Sequence, residues 1–235
     1  MTNSRHSGRV VLVTGAGGGI GAAIAELYCQ EGAVVALVDA DAAKAQQQAE
    51  ALREAGFTVG WAQADVADYQ ACADACERLV HELGPIDTLI NNAGISPKHD
   101  GAPAPIWTMA PEEWQRVVNI NLNGSFNLVR VLTPGMVERG FGRIVNMSSV
   151  AGSAFLPIVA AHYSATKAAI IGFTRHLAGE GGSKPLCSRP FPRRPIRPWS
   201  TRRRCAAWEH RLRWPRRRAS SPPMKATLLP ARSWM

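Results

Sequence analysis

No apolar run in this 235-residue chain approaches the roughly 18 residues that a membrane-spanning helix needs. Met1 to Gly8 is polar, and the apolar run behind it is too short for the core of a signal peptide. The expectation from both is a cytoplasmic protein with no membrane partner. Cysteine is sparse and poorly placed for metal or disulfide work. The five residues, Cys29, Cys72, Cys76, Cys187 and Cys205, form no C-x-x-C pair. Cys72 and Cys76 share one helix face, where buried thiols are the commoner reading over a metal or redox site. No metal site is expected, and the pattern fits a reducing compartment.

Acidic residues are nearly absent from the end of the chain. Residues 180–235 hold 15 Lys/Arg against 2 Asp/Glu, a balance of +13, while residues 1–179 hold 12 against 16, a balance of −4. The net charge of +9 therefore describes the tail and says nothing about the chemistry of what precedes it. From Glu180 onward there is also no Val, Asp, Asn, Gln or Tyr, yet nine of the 16 prolines and four of the seven tryptophans lie there. The prolines forbid a long helix and no periodic apolar face survives. A boundary is placed at about residue 179, with 1–179 as the folded domain and 180–235 as an Arg/Pro-rich tail, disordered or translated out of frame.

Ahead of that boundary, strand and helix patterns alternate. Short apolar runs at Arg9 to Thr14, Ala33 to Val38, Phe57 to Ala64, Ile86 to Ile90 and Arg143 to Met147 read as buried strands. Between them, Gly19 to Glu31, Asp41 to Ala55, Asp68 to Leu83 and Pro111 to Glu138 read as helices, and Ala161 to Ala178 follows as another. Pro134 should kink or interrupt the long fourth helix. Continuous apolar strands in strict alternation with helices imply βαβ units and a parallel sheet. The fold class is α/β, a Rossmann-type doubly wound parallel sheet whose last strands are missing or replaced by the irregular basic tail.

The strongest local motif is Thr14-Gly-Ala-Gly-Gly-Gly-Ile-Gly21, which follows a strand and opens a helix. Glycines at 15, 19 and 21 allow a tight turn and close backbone approach, and a helix start offers free N–H groups to a pyrophosphate, so Gly15, Gly17, Gly18, Gly19, Ile20 and Gly21 are the cofactor-binding candidates here. The spacing is G-x-x-x-G-x-G, not the commoner G-x-G-x-x-G. Asp39 ends the second strand, 18 residues after Gly21. A carboxylate there can bond ribose hydroxyls and repel a 2′-phosphate, and no Lys or Arg lies in the glycine loop or next to Asp39. NAD is therefore expected over NADP. Asp39 and Asp41 are both also candidates for a helix N-cap.

With these motifs in order, the chain resembles the short-chain dehydrogenase/reductase family, in particular members like the 3-oxoacyl carrier-protein reductases and those oxidising sugars or cyclic alcohols. Thr14 to Gly21 looks like its cofactor turn, Asp65-Val66 like its adenine contact, and Asn91-Asn92-Ala93-Gly94 like the motif after its fourth strand. Asn121 looks like its active-site asparagine, Ser148-Ser149 like its serine motif, and Tyr163-Ser-Ala-Thr-Lys167 like its Y-x-x-x-K. The match runs from about Arg9 to Ala178. It implies cofactor contacts from Thr14, the glycine turn, Asp39, Asp65, Val66, Asn92, Ala93, Gly94, Tyr163 and Lys167, and catalysis by Asn121, Ser149, Tyr163 and Lys167. Ser149 matches the serine better, but it stands 14 residues before Tyr163, one more than the family usually has, so Ser148 stays open.

The residue types suit hydride chemistry. Tyr163 and Lys167 are one helical turn apart and point the same way. A neighbouring ammonium favours a phenolate over a phenol, so Tyr163 can exchange a proton with an alcohol as hydride moves. Ser149 can donate to a developing alkoxide, and Asn121 can hold a relay water. His162 is expected on the helix surface or in the substrate pocket, Trp107 and Trp114 as packing residues, and the loop Ser96 to Pro105, with His99, at the pocket entrance.

The family's sixth strand, its Pro-Gly turn, lid and seventh strand find no match after Gly179. On that ground the fifth strand should be an exposed edge, the last helix should lose most of its packing, and the pocket should lack a wall. The leading expectation is an NAD(P)-dependent oxidoreductase acting on a secondary alcohol or ketone, with a homo-oligomer formed through helices 111–139 and 161–178. The alternatives are an inactive cofactor-binding relic, or a protein sticking to nucleic acid through its arginines without sequence specificity.

Overall fold

The computed structural model describes residues 4–183. The arginine runs, Cys187, Cys205 and residues 184–235 of the proposed irregular tail lie outside the described residues, while residues 180–183 continue the last helix. Five parallel strands form one sheet in the order β3-β2-β1-β4-β5. They are β1 Val10–Thr14, β2 Val34–Asp39, β3 Val59–Gln63, β4 Thr88–Asn91 and β5 Arg143–Asn146. The flanking helices are α1 Gly19–Gln30, α2 Ala42–Glu54, α3 Tyr69–Leu83, α4 Pro111–Val118, α5 Gly124–Glu138 and α6 Ala161–Ser183. All three sequence-predicted features of the sheet (parallel pairing, alternation, burial of both faces) are present.

Alternation along β1 divides the core. Val11 and Val13 join Val35 and Leu37 under α1 and α2, while Val10 and Leu12 join Ala36 and Val38 under α3 and α5. Burying each such side chain on both faces of a central strand is worth about 1.5–3 kcal/mol. The chain order reverses beside β1, whose neighbours are β2 and β4. At such a switch point the loops at the strand C-termini part and leave a crevice.

Two of the helices, α2 and α3, start where an aspartate satisfies free N–H groups. Asp41 accepts from Lys44 N at 3.2 Å and Asp68 from Gln70 N and Ala71 N at 2.8 and 3.0 Å. Of the two candidate caps, Asp41 is thus the one that caps α2.

The long fourth helix departs from the expectation at a different residue. α5 runs straight through Pro134, and the irregularity is a π-helical segment, Asn119–Asn123, between α4 and α5. Pro134 has no N–H to give the carbonyl of Arg130, and just before it Thr133 Oγ1 donates to Val129 O at 2.7 Å. The extra residue of the π turn swings Asn121 out of helical register, and inserted turns of this kind recur at functional sites.

Two other expectations are corrected. Trp107 is 83% exposed and Trp114 37%, so neither packs into the core. α6 keeps its packing: Ile170 and Thr174 are buried, and Phe173 and Leu177 pack on the α3–α5 core. Among the described residues β5 pairs only with β4, through the register Thr88↔Arg143 to Asn91↔Asn146. Side chains then lock this end of the sheet. Asn91 Nδ2 donates to Asn146 Oδ1 at 2.8 Å, and Asn146 Nδ2 to Thr174 Oγ1 at 3.0 Å, tying β4, β5 and α6 together.

Candidate active site

The glycine turn sits at the C-terminal end of β1 and leads directly into α1. Gly15 and Gly19 have φ of +63° and +56°, conformations that residues with a Cβ rarely adopt. Gly21 is required for another reason, since a Cβ there would lie 2.0 Å from Gly15 O. The N-cap of α1 is Gly18, with no side-chain cap and no acid in the first turn. The helix N-terminus is therefore left to an outside anion, and Ile20 stands 62% exposed beside it. An uncapped helix start, a turn free of Cβ atoms and an exposed apolar side chain fit a dinucleotide.

Thr14 and Asn92 hold this turn from behind. Thr14 Oγ1 accepts from Asn92 N and Ala93 N, both at 3.0 Å, while Asn92 Nδ2 donates to Thr14 O at 2.9 Å and Gly15 O at 3.3 Å. Buried Thr14 thus clamps the ends of β1 and β4 into one unit.

A cleft of about 740 Å³ opens beside the turn, lined among others by Gly15, Asp39, Asp65, Val66, Ala93 and Gly94. Asp39 Oδ2 accepts from Gly17 N at 2.9 Å and Oδ1 from Asp41 N at 3.0 Å, which fixes the carboxylate at the cleft edge. Asp65 accepts from Ala67 N at 2.9 Å. Val66 is buried, its carbonyl taking a 2.9 Å bond from Asn127 Nδ2. Lys44, which the sequence reading passed over, also reaches the turn. A Cβ on Gly17 would meet Lys44 Cβ at 2.7 Å, and its ammonium pairs with Asp41 at 3.0 Å.

The second half of the site gathers side chains from three segments and the backbone of a fourth. Asn121, buried on the π turn, accepts from Ile95 N at 2.7 Å and donates to Ile95 O at 2.9 Å. Lys167 Nζ donates to Met147 O at 2.7 Å and lies 5.6 Å from the centre of the Tyr163 ring. A Cβ on Gly94 would come 3.2 Å from Asn121 Oδ1 and 3.6 Å from Lys167 Nζ, so this glycine lets the two groups approach the cleft. The two serines separate clearly. Ser148 Oγ donates to Lys167 O at 2.7 Å, whereas Ser149 Oγ accepts from Ala151 N at 3.2 Å and keeps its own proton to donate. No hydrogen bond within the described residues engages the Tyr163 hydroxyl.

Burial pushes the Lys167 ammonium down from 10.5 to about 8. Between those values the unfolded chain still binds a proton that the native chain has released, so stability rises with pH across that window and the burial penalty is full below it. Wild type is therefore expected to gain about 2 kcal/mol relative to Lys167→Met between pH 8 and 10. Urea unfolding of both chains at each pH measures it, and parallel profiles would mean that the ammonium is solvated.

His162 corrects the sequence reading: it is fully buried, and Nε2 lies 2.9 Å from Glu113 Oε1. Cys29, Cys72 and Cys76 are free, buried thiols pushed up to about 11, 12 and 12 by burial, unsuited to redox or metal work at neutral pH. Among the described residues no three His, Cys, Asp or Glu side chains gather to hold a metal, and no helix is long and apolar enough to cross a membrane.

A glycine turn at the switch point of a parallel sheet, beside a buried lysine and a free tyrosine, defines a nicotinamide-nucleotide oxidoreductase. The chain belongs to the short chain dehydrogenase family, whose model matches residues 9–185. It is 44% identical to the acetoacetyl-CoA reductase of Rhizobium meliloti over 178 residues, 75% of this chain and 69% of that protein. It is 42% identical over 181 residues to a 2-dehydro-3-deoxy-L-rhamnonate dehydrogenase (NAD(+)) from a Sphingomonas species, covering 77% and 69%. Among solved structures it matches a 3-oxoacyl-[acyl-carrier protein] reductase with bound NAD from Brucella melitensis, with a TM-score of 0.75 and 49% identity, over 77% of this chain and 69% of that one. A gluconate 5-dehydrogenase from Burkholderia cenocepacia in complex with NADP and tartrate matches with a TM-score of 0.70 and 33% identity, over 76% and 68%. Like these relatives, the chain is an NAD(P)-dependent oxidoreductase by family.

Proposed function

We propose that the chain transfers hydride between NAD and a secondary alcohol or its ketone, using Tyr163 as proton carrier, Lys167 and Ser149 as its partners and Asn121 as the anchor of a proton path. The observation that carries this reading is the Tyr163 hydroxyl, left without a partner among the described residues beside the buried Lys167 ammonium. Bound nicotinamide supplies the hydride donor and acceptor. Tyr163 exchanges the accompanying proton at its phenolic oxygen, beside the Lys167 ammonium. Lys167, donating to Met147 O, is fixed in place and has further N–H groups free to face the ribose and the proton path. Ser149 donates its unshared proton to the substrate oxygen as charge develops there. Asn121, held by both backbone groups of Ile95, positions a water behind Lys167.

The glycine turn, Gly15 to Gly21, takes the pyrophosphate on the uncapped start of α1, with Thr14 and Asn92 bracing it. Asp65, Val66, Ala93 and Gly94 line the adenosine side of the cleft. Asp39 faces the ribose hydroxyls and repels a 2′-phosphate, which favours NAD, while Lys44 is committed to Asp41. The test is a fluorescence titration of the full chain with NADH and NADPH, in wild type and Asp39→Ala. Wild type should saturate with NADH, and the variant should lose about tenfold in NADH affinity while narrowing the gap to NADPH. Equal affinity for both nucleotides in wild type would overturn the preference. The same reading includes a homo-oligomer through 111–139 and 161–178, supported by Trp114, Phe126 and Val137, exposed apolar side chains on α4 and α5.

A further inference from the structure

We propose that Glu113 is a positioning residue that clamps the loop from Ser96 to Pro105 onto the N-terminal turn of α6, and that this clamp sets the affinity for the reacting alcohol or ketone more than for the cofactor. The second clause rests on the function proposed above. Glu113 stands in the first turn of α4, where Glu112 already serves the helix dipole. Its carboxylate is used at both oxygens. Oε1 faces His162 Nε2 at 2.9 Å, and Oε2 faces His99 Nε2 at 2.5 Å. One acid thus joins three segments: α4, the residue immediately before Tyr163, and the tip of the loop.

That tip is built to present His99. His99 and Ala102 exchange both backbone hydrogen bonds, at 2.8 and 3.0 Å, around Asp100 and Gly101, whose φ values are +51° and +82°. Two residues of positive φ make a tight two-residue hairpin turn, stiff enough to transmit a pull on its imidazole. The other end is equally fixed, because His162 is fully buried. A carboxylate can only accept, so the Nε2 atoms facing it carry the hydrogens. In neutral His162 this leaves Nδ1 as a buried acceptor, and it has no partner among the described residues. Ser96 Oγ, on the first residue of the loop, is also buried without a partner among the described residues. Buried polar atoms without a partner are costly. Ser96 is on the loop and His162 at the start of α6, the two segments that Glu113 ties to α4. The two imidazoles also hold the Glu113 carboxyl below its usual range, the His162 hydrogen bond first.

Hydrogen–deuterium exchange of the full chain tests the clamp, with Glu113→Ala, Glu113→Gln and His99→Ala compared to wild type. His99 is exposed on the surface, so its replacement leaves the fold intact should Glu113→Ala prove unstable. Exchange of the His99 and Ala102 amides should quicken about tenfold in His99→Ala and at least as much in Glu113→Ala, with β1 and β4 unchanged. Glu113→Gln, able to accept from one imidazole and donate to the other, should stay near wild type. NADH affinity should hold within about twofold in all three. With a substrate in hand, His99→Ala should raise KM more than it lowers kcat. Unchanged loop exchange in both His99→Ala and Glu113→Ala overturns the proposal, as does a rise in KM matched by an equal loss of NADH affinity. A wild-type chain that fails to bind NADH would sink the cofactor reading while leaving the exchange result readable.

Discussion

Tyr163→Phe is expected to cut turnover by about a hundredfold to ten-thousandfold, the range that a positioned proton carrier supplies. The substitution removes one oxygen and nothing else of consequence. The hydroxyl has no hydrogen-bond partner among the described residues, so its loss orphans no group and the melting temperature should not fall. The ring stays over Lys167, whose Nζ lies 5.6 Å from its centre. NADH affinity should therefore remain within about twofold of wild type, because a lost interaction made only in the transition state lowers kcat without weakening ground-state binding. Stopped-flow oxidation of a saturating alcohol, alongside an NADH titration, separates the two. Undiminished turnover in Tyr163→Phe would show that another group carries the proton.

Gly21→Ala is expected to abolish NADH binding and to destabilise the domain by about 3 kcal/mol or more. Within a helix, glycine to alanine is ordinarily favourable by about 1 kcal/mol. Here the added Cβ would lie 2.0 Å from Gly15 O, 2.8 Å from Gly15 C and 2.7 Å from Asn92 Nδ2. None of these can yield cheaply. Two are backbone atoms of the turn, and the third is bonded to Thr14 O and Gly15 O. The start of α1 must move away from β1, carrying off the N–H groups offered to the pyrophosphate. Gly18→Ala is the control: φ is −179°, and a Cβ there meets nothing within 4 Å. It should unfold at the wild-type urea midpoint, while Gly21→Ala falls well below it. Equal midpoints would mean that the turn relaxes around a methyl group.

Much of this was legible because it depends on short stretches of chain. The buried strands follow from runs such as Val10–Thr14, and the glycine turn from a strand that ends in glycines and a helix that begins at once. Tyr163 and Lys167 could be paired from a spacing of four, since a helix brings such residues to one face. Ser148 and Ser149 could not be told apart that way. Their difference is which hydroxyl the carbonyl of Lys167 occupies, a contact across 19 residues. Pro134 does not interrupt the helix, which continues through it, while the irregularity is the π turn at Asn121, whose side chain bonds both backbone groups of Ile95 on another segment. His162 misled for the same reason. Its partner, Glu113, lies 49 residues away and carries no local signature.

By itself, then, the sequence determined the parallel α/β architecture, the nucleotide turn and the helical pairing of tyrosine and lysine, because each follows from local periodicity and local sterics. Only the tertiary structure decided which serine keeps its proton, that Asp41 caps α2 while Asp39 faces the cleft, and that Glu113 binds a loop histidine to a buried one. These are choices among polar groups with several partners in reach. Such choices are made by which atoms the packed core leaves unsatisfied, and that is known only once the chain is folded.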